Sequence, residues 1–531
     1  MTPSAALRAA LPPEGEEEDA AEGTERRPIW AIALLNNSYA ATEMRCCDLR
    51  PLLVHRRVID HDGTMRTLIS NGTVVTGAVA TEADVVVEGE RIVGVVEPGA
   101  AGDEFDRVID ATGRYVIPGG VDMHTHMELP VSGTSSADTY ETGTRAAAIG
   151  GTTTIVDYAG QTRGGTLKDG LAEWMDRAEG KSFIDYGFHM MVTDVHEGTL
   201  GEFAEMMHAG VTTFKLFTAY PGVNLSDDRQ ILEAMQVAAS IGATIMMHAE
   251  NGIAIDALRD QAIARGETDP IYHLLTRPAS MEAEAVHRVA ALAEIAGCAL
   301  VIVHISSQDA FAEAVVARDR GLPVFTETCP QYLWLAQEDL PEGFEAAKFV
   351  CSPPLRRRSE GHQAALWSGV STGRIDAVAT DHCPFTWKQK EAGRGDFRKI
   401  PNGLGVVEHR VDLVYQGVVE GWIPLTRWIE VTAETPAKLS GIYPKKGTIA
   451  PGSDADVVIY DPAASHTLSA ATHSMNLDYS VFEGAEIGGR VETVMLRGEV
   501  IVDLGEFVGE PGRGEYLHRG TNALLPESVV G

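Results

Sequence analysis

Lysine is nearly missing from this sequence, with ten residues in 531. Arginine does not make up the deficit: Lys and Arg together number 43 against 76 Asp and Glu, a net charge of −33 at pH 7. A field of that sign opposes phosphate backbones and anionic membranes, so no nucleic-acid partner and no membrane partner is expected. The first 64 residues hold eleven acidic and seven basic side chains, so −29 of the charge belongs to the rest, where it reads as a solvated acidic surface. Cysteine is also scarce. The six present (Cys46, Cys47, Cys298, Cys329, Cys351, Cys383) form no C-x-x-C and no regular framework, which excludes a disulfide scaffold and fits a reducing cytoplasm. No apolar run approaches the ~18–20 residues needed to cross a bilayer. The patch "IWAIALL" from Ile29 is short and follows an acidic segment, the wrong order for a signal peptide. A G-x-G-x-x-G after the first strand and a G-x-x-x-x-G-K-[ST] are both absent, leaving nucleotide chemistry without support. A cytoplasmic protein acting on a small molecule is the expectation.

What is present is ordinary in amount: 44% hydrophobic residues, 22% charged and 54 glycines, in a chain long enough for one large domain and an accessory one. Residues 1–64 include the low-complexity acidic run "PPEGEEEDAAEGTERR" and are expected to be a disordered extension or a mis-assigned start. From Met65 short strands separated by turn signals begin, in "MRTLISNGTVVTG", "ADVVVEGERIVGVVE" and "RVIDATGRYVIPG". Similar strands return in "DADVVIYDP" and "VETVMLRGEVIVD", so residues 65–117 and 441–505 are expected to build one small β-sandwich from both chain ends, followed by a tail over 506–531 available for oligomer contacts.

Between them, over 118–440, strands alternate with helices. The strands end at "VDMHTH", "TTTIVDY", "YGFHMMVT", "TTFKLFT", "TIMMHAE", "LVIVHISS", "PVFTETCP" and "AVATDHCP". Helical segments such as "DRQILEAMQVAASIG" and "EAEAVHRVAALAEIAG" close on glycine. Eight such units predict an α/β fold, a (β/α)8 barrel of the TIM type, whose sites lie at the strand C-terminal ends. A doubly wound open sheet is the alternative.

Ionisable residues gather at those ends. Strand one finishes in "HTH", and His124 and His126, two apart in an extended chain, face one side. Lys215 lies on strand four, His248 ends strand five, His304 ends strand six and Asp381 ends strand eight. Each alone is weak evidence; a lone histidine there is more often a hydrogen-bonded core residue, and Asp381 in "TDHCP" could be a helix N-cap. Six on one rim reverse that weighting. His189 and His382 are assigned structural or supporting places, and the remaining histidines are expected at the surface. Lys215, inside "TTFKLFTAYPG", could send its head group out to water along a packed stem. A strand near a barrel axis leaves little room for that. Desolvation lowers a lysine pKa, and a neutral amine can add carbon dioxide to become N6-carboxylysine, an anion able to bridge two metal ions.

The sequence resembles the dihydropyrimidinase and D-hydantoinase family of cyclic amidohydrolases, within the amidohydrolase superfamily. The resemblance rests on "IPGGVDMHTHMELP", "GTRAAAIGGTTTIVDYA", "TTFKLFTAY", "MMHAENG", "VHISS", "ETCPQYL", "VCSPPLR", "ATDHCPF" and "IPNG", and at the end on "GSDADVVIYDP", "MNLDYSVFEG" and "FVGEPGRGEYL". It runs from about Met65, where that family's chains usually begin, to near Arg519. It implies one metal on His124 and His126, a second on His248 and His304, the carbamate of Lys215 bridging both, and Asp381 on the first metal. It implies that Tyr220 aims its phenol at the substrate carbonyl, that Ser352 and Asn402 meet the ring largely through backbone groups, and that the protein is a homotetramer. One departure is visible: the family usually passes through a G-V-E step after "IPNG", whereas this chain reads "LGVVEHR", with Val406 ahead of Val407 and Glu408.

The expected reaction is hydrolysis of the cyclic amide bond of dihydropyrimidines or 5-substituted hydantoins to N-carbamoyl amino acids. A hydroxide bridging the two metals would attack, Tyr220 would stabilise the oxyanion, and Asp381 would carry the proton. Nitrogen and oxygen ligands without thiolate suit zinc, with manganese or cobalt as substitutes. Leu129, Val131 and Phe217 could by position border the ring substituent, and each could equally be core packing. Allantoinase or dihydroorotase chemistry on the same metals is the competing reading, and a non-catalytic scaffold homologue the third; a scaffold of that kind loses metal ligands, and all six positions are filled here.

Overall fold

The computed structural model describes residues 64–131 and 133–525. The expected disorder or mis-assigned start of residues 1–64 therefore concerns, apart from Thr64, residues outside the described ones, as do Cys46 and Cys47.

All eight expected strands are present and parallel. In order they are Gly120–Thr125, Thr152–Gly160, Asp185–Met191, Thr213–Phe217, Thr244–His248, Ala299–Ile302, Val324–Thr328 and Ala377–Val378, each paired with the next. A parallel bridge between Thr125 and His382 joins last to first, so the sheet closes and the open-sheet alternative is excluded. Side chains alternate across the barrel wall as strand geometry requires. Met246 and Val301 join an inner cluster with Met123, Tyr158, Met191 and Phe217, while Ile245, Met247, Leu300 and Ile302 join the cluster shared with the surrounding helices. The helix Ala279–Ala296 stops at Gly297, whose φ of 66° is the left-handed cap that ends a helix at low cost.

The two chain ends meet in one nine-stranded sheet. Strand Val457–Thr467 pairs with Tyr115–Pro118, which pairs in turn with Arg66–Val75. The same alternation divides its residues: Val116, Val457 and Ile459 face a small core of the sheet's own, and Ile117, Val458 and Tyr460 face the main cluster. The segment after the last strand lies back on its own barrel. Leu517 N donates to Tyr186 O (2.7 Å), Ala523 N to Lys438 O (2.9 Å), and Arg519 is buried beside strand three, its guanidinium bonded to Phe188 O and Thr213 Oγ1.

Candidate functional site

Lys215 sits between Phe214 and Leu216, and the strand pleat sends those two outward into the helix layer. The lysine points inward and is 2% exposed. The residues adjacent in sequence therefore do not enclose it; inward-facing residues do, Phe217 two places along the same strand and others from neighbouring strands. Nζ lies 4.1 Å above the Tyr158 ring and 5.4 Å from the Phe217 ring, and 2.8 Å from His124 Nε2. Burial pulls its pKa down to about 8, with Asp381 and Glu327 opposing.

Five of the other expected ligands surround it. Strand one is bulged between Asp122 and Thr125, and the rings of His124 and His126 stand 5.2 Å apart at the bulge and just beyond it. Nε2 of each is 3.2 Å from Asp381 Oδ1, and the donor atoms of His124, His126 and Asp381 all fall within 4.8 Å of one another. On the opposite side His248 Nδ1 faces His304 Nε2 at 2.9 Å. His304 and Asp381 lie just past their strands and carry positive φ values of 43° and 51°, as does Tyr220 at 63°. Non-glycine residues hold such angles only where the surroundings enforce them. All three stand at the rim.

The ring orientations are set from behind. Glu250 Oε2 is bonded both to His248 Nε2 (2.9 Å) and to Arg277 (2.7 Å). Burial works against its ionisation, but Arg277 and His248 outweigh that and hold the carboxyl well below the usual range. An ionised carboxylate only accepts, so His248 carries a proton on Nε2 and turns Nδ1 to the cavity. His124 Nδ1 is bonded to Glu327 Oε1 (2.8 Å), which turns Nε2 to the same space. Burial pushes Glu327 well up, with Lys215 pulling it back. Burial also lowers the pKa of His124, His126 and His304, the last two having a buried Nδ1 with no hydrogen-bond partner. Neutral imidazoles, facing nitrogen lone pairs and a carboxylate against them form a donor set that suits divalent cations, zinc, manganese and cobalt among them.

These residues open on a cavity of about 570 Å³ whose lining includes His126, Lys215, His248, His304 and Asp381, and also Tyr220, Ser352 and Asn402. Burial raises the Tyr220 phenol to about 12. Asn402 Nδ2 donates to Ser352 Oγ (3.1 Å), joining the two loops expected to meet a substrate ring. Leu129, Val131 and Phe217 line the same space.

Other assignments are sharpened or corrected. His382 accepts from both Val406 N (3.1 Å) and Val407 N (3.2 Å) at Nδ1 and donates to Asp138 Oδ2 (2.9 Å), so the unusual "LGVVEHR" step is pinned by a histidine that stays out of the cavity. His189 bonds Met123 O (3.0 Å) and Thr213 and is structural. The remaining histidines are not all at the surface: His273, His362 and His409 are buried. His273 bonds Cys351 O (2.8 Å), next to Ser352, and His362 accepts from Gln308 N (3.1 Å), partners far away in sequence. Glu250 and Glu327 were missed as supports. The signal was present for both, since Glu250 follows His248 by two residues and Glu327 sits at the end of strand seven.

The model of the "Amidohydrolase family" matches residues 115–501. The chain is 57% identical over 465 residues to the D-hydantoinase of Streptomyces coelicolor, covering 87% of this chain and 99% of that protein. It is 46% identical over 457 residues to the D-hydantoinase of Ralstonia pickettii, covering 86% and 99%. Among solved structures, the dihydropyrimidinase of Brevibacillus agri superposes with a TM-score of 0.84 at 45% identity, over 86% of this chain and 99% of that one.

Proposed function

The chain belongs to the amidohydrolase family, as a cyclic amidohydrolase of the hydantoinase and dihydropyrimidinase group, and we propose that it opens the ring amide of 5-substituted hydantoins and dihydropyrimidines at a two-metal centre. The observation that carries the reading is Lys215, buried with four histidines and Asp381 around it at the mouth of the barrel.

His124 and His126 would hold one divalent ion and His248 and His304 the other, zinc first among the candidates, with Asp381 on the first. Such ions, when bound, lower the pKa of water towards neutrality and polarise a carbonyl. Lys215, once carboxylated, would be a further ligand for both ions. With a pKa near 8 part of the amine is neutral; its nitrogen forms a bond to the carbon of carbon dioxide, a proton leaves, and the product is a carboxylate on a long arm. Asp381 is kept ionised against its burial by His126 and His304. Its carboxylate takes the proton of the attacking water and delivers it to the leaving ring nitrogen. The Tyr220 phenol keeps its proton at working pH and donates it as a hydrogen bond to the developing oxyanion. Ser352 and Asn402 hold the ring, and Leu129, Val131 and Phe217 receive its substituent.

The competing dihydroorotase reading needs a cation for an exocyclic carboxylate. The three arginines lining the cavity already have carboxylate partners: Arg277 with Glu250, Arg259 with Asp256, and Arg398 with Asp396 and Asp260. That weighs against it. A cytoplasmic homotetramer completes the proposal; among the described residues no helix is long and apolar enough to cross a membrane. The test is a panel of hydantoin, phenylhydantoin, dihydrouracil, allantoin and dihydroorotate with added zinc or manganese. Turnover of the first three is expected; turnover of allantoin or dihydroorotate alone, or of none in well-folded metal-loaded protein, overturns the reading.

A further inference from the structure

Behind the cavity lies a second buried lysine that the chemistry above leaves unused. Lys390 ends the short helix Trp387–Lys390, whose start is fixed by a reciprocal cap between Thr386 and Gln389. It is 0% exposed. Its Nζ reaches three backbone carbonyls, Val350 O at 2.9 Å, Pro401 O at 2.8 Å and Gly403 O at 2.9 Å. Val350 precedes Ser352 by two residues, and Pro401 and Gly403 flank Asn402.

We propose that Lys390 is a positioning residue for substrate binding, its ammonium tying together the two loops that present Ser352 and Asn402 to the ring. The inference rests on the reading of those two residues as the ring contacts. The geometry asks for the protonated form: three acceptors need three N–H donors, and a neutral amine offers two and a lone pair. Burial pulls this ammonium down to about 7, with Cys351 and Cys383 opposing. No carboxylate pairs with it among the described residues. A buried charge without a counter-ion is costly, and an apolar side chain would fill the space without that cost. What the ammonium adds is a fixed spacing between two strands of backbone.

The remaining contacts agree. Gly403 N donates to Val350 O (3.0 Å), so the loops already touch at the point where Lys390 joins them. Gly403 has a φ of 150°, and a Cβ there would come within 2.1 Å of Cys383 O, so only glycine fits at this point of the loop. On the cavity side Asn402 Nδ2 bonds Ser352 Oγ, and His273 holds Cys351 O. Lys390 makes no hydrogen bond to any of the expected metal ligands, so its loss disturbs ring binding and leaves the metals in place.

The test is steady-state kinetics of the metal-loaded enzyme with hydantoin and dihydrouracil, wild type against Lys390→Met, with metal content measured on the same samples. The expected result is a KM raised at least about tenfold, a kcat within about threefold, and an unchanged metal count. An unchanged KM, or a loss carried by kcat together with metal, would overturn the inference. Should Lys390→Met not fold, Lys390→Gln keeps two N–H donors and is read the same way, with a smaller rise expected. Failure of both to fold would make Lys390 a folding residue and reject the proposal. A wild type inactive on both substrates would instead reject the functional reading on which it rests.

Discussion

Tyr158 and Phe217, not the residues adjacent in sequence, give Lys215 its environment, and this changes what a substitution there should do. Lys215→Ala removes the amine but leaves the enclosing rings and the outward-facing Phe214 and Leu216 intact. The protein should fold, yet lose metal and turnover together, which metal analysis and a hydantoin assay read on one preparation. Tyr220→Phe removes one donor to the oxyanion and should cut kcat by roughly ten- to a thousandfold with metal content unchanged. At this scale the convergence of His124, His126, Lys215, His248, His304 and Asp381 was legible because each lies on or just past a recognisable strand, whereas the expectation for Tyr220 rested on the family resemblance. The burial of His273 was not, since nothing local distinguishes a buried histidine from an exposed one when its partner, Cys351 O, lies 78 residues away.

Strand ends carry more than ligands. Strand five presents His248 and, two residues on, the Glu250 that fixes its tautomer; strand seven contributes Glu327, which turns His124. Carboxylates behind metal-binding histidines typically govern affinity by ten- to a hundredfold. Glu250→Gln and Glu327→Gln should each weaken metal binding by roughly that factor in a chelator competition, and a variant retaining wild-type affinity would remove that carboxylate from the account. The alternation of strands and helices was legible because the apolar runs are short and the helices end on glycine. The bulge in strand one was not, since its cause is the pairing with strand two and with His382, which only the closed barrel supplies.

Across the whole molecule the acidity has a thermodynamic consequence. Burial raises Glu408 to about 8, Asp412 to about 7 and Asp157 to about 7. A carboxyl whose folded pKa is raised contributes stability that is complete below the unfolded value and is lost as pH rises through the folded one. The window therefore runs from the ordinary carboxylate range up to about 8, and self-repulsion of a chain at −33 acts in the same direction. Melting temperature should fall between about pH 5 and 8, and fall less in Glu408→Gln, measured by calorimetry at constant ionic strength; a flat or rising profile would refute this.

The central claim is that the amine of Lys215 becomes a bridging carboxylate. It is tested most directly by loading metal-free protein with zinc and 13C-bicarbonate and recording the carbon NMR spectrum of the wild type beside Lys215→Ala. The account predicts one carbamate carbon per chain in the wild type and none in the variant. A wild type that binds two zinc ions and shows no carbamate signal would contradict it.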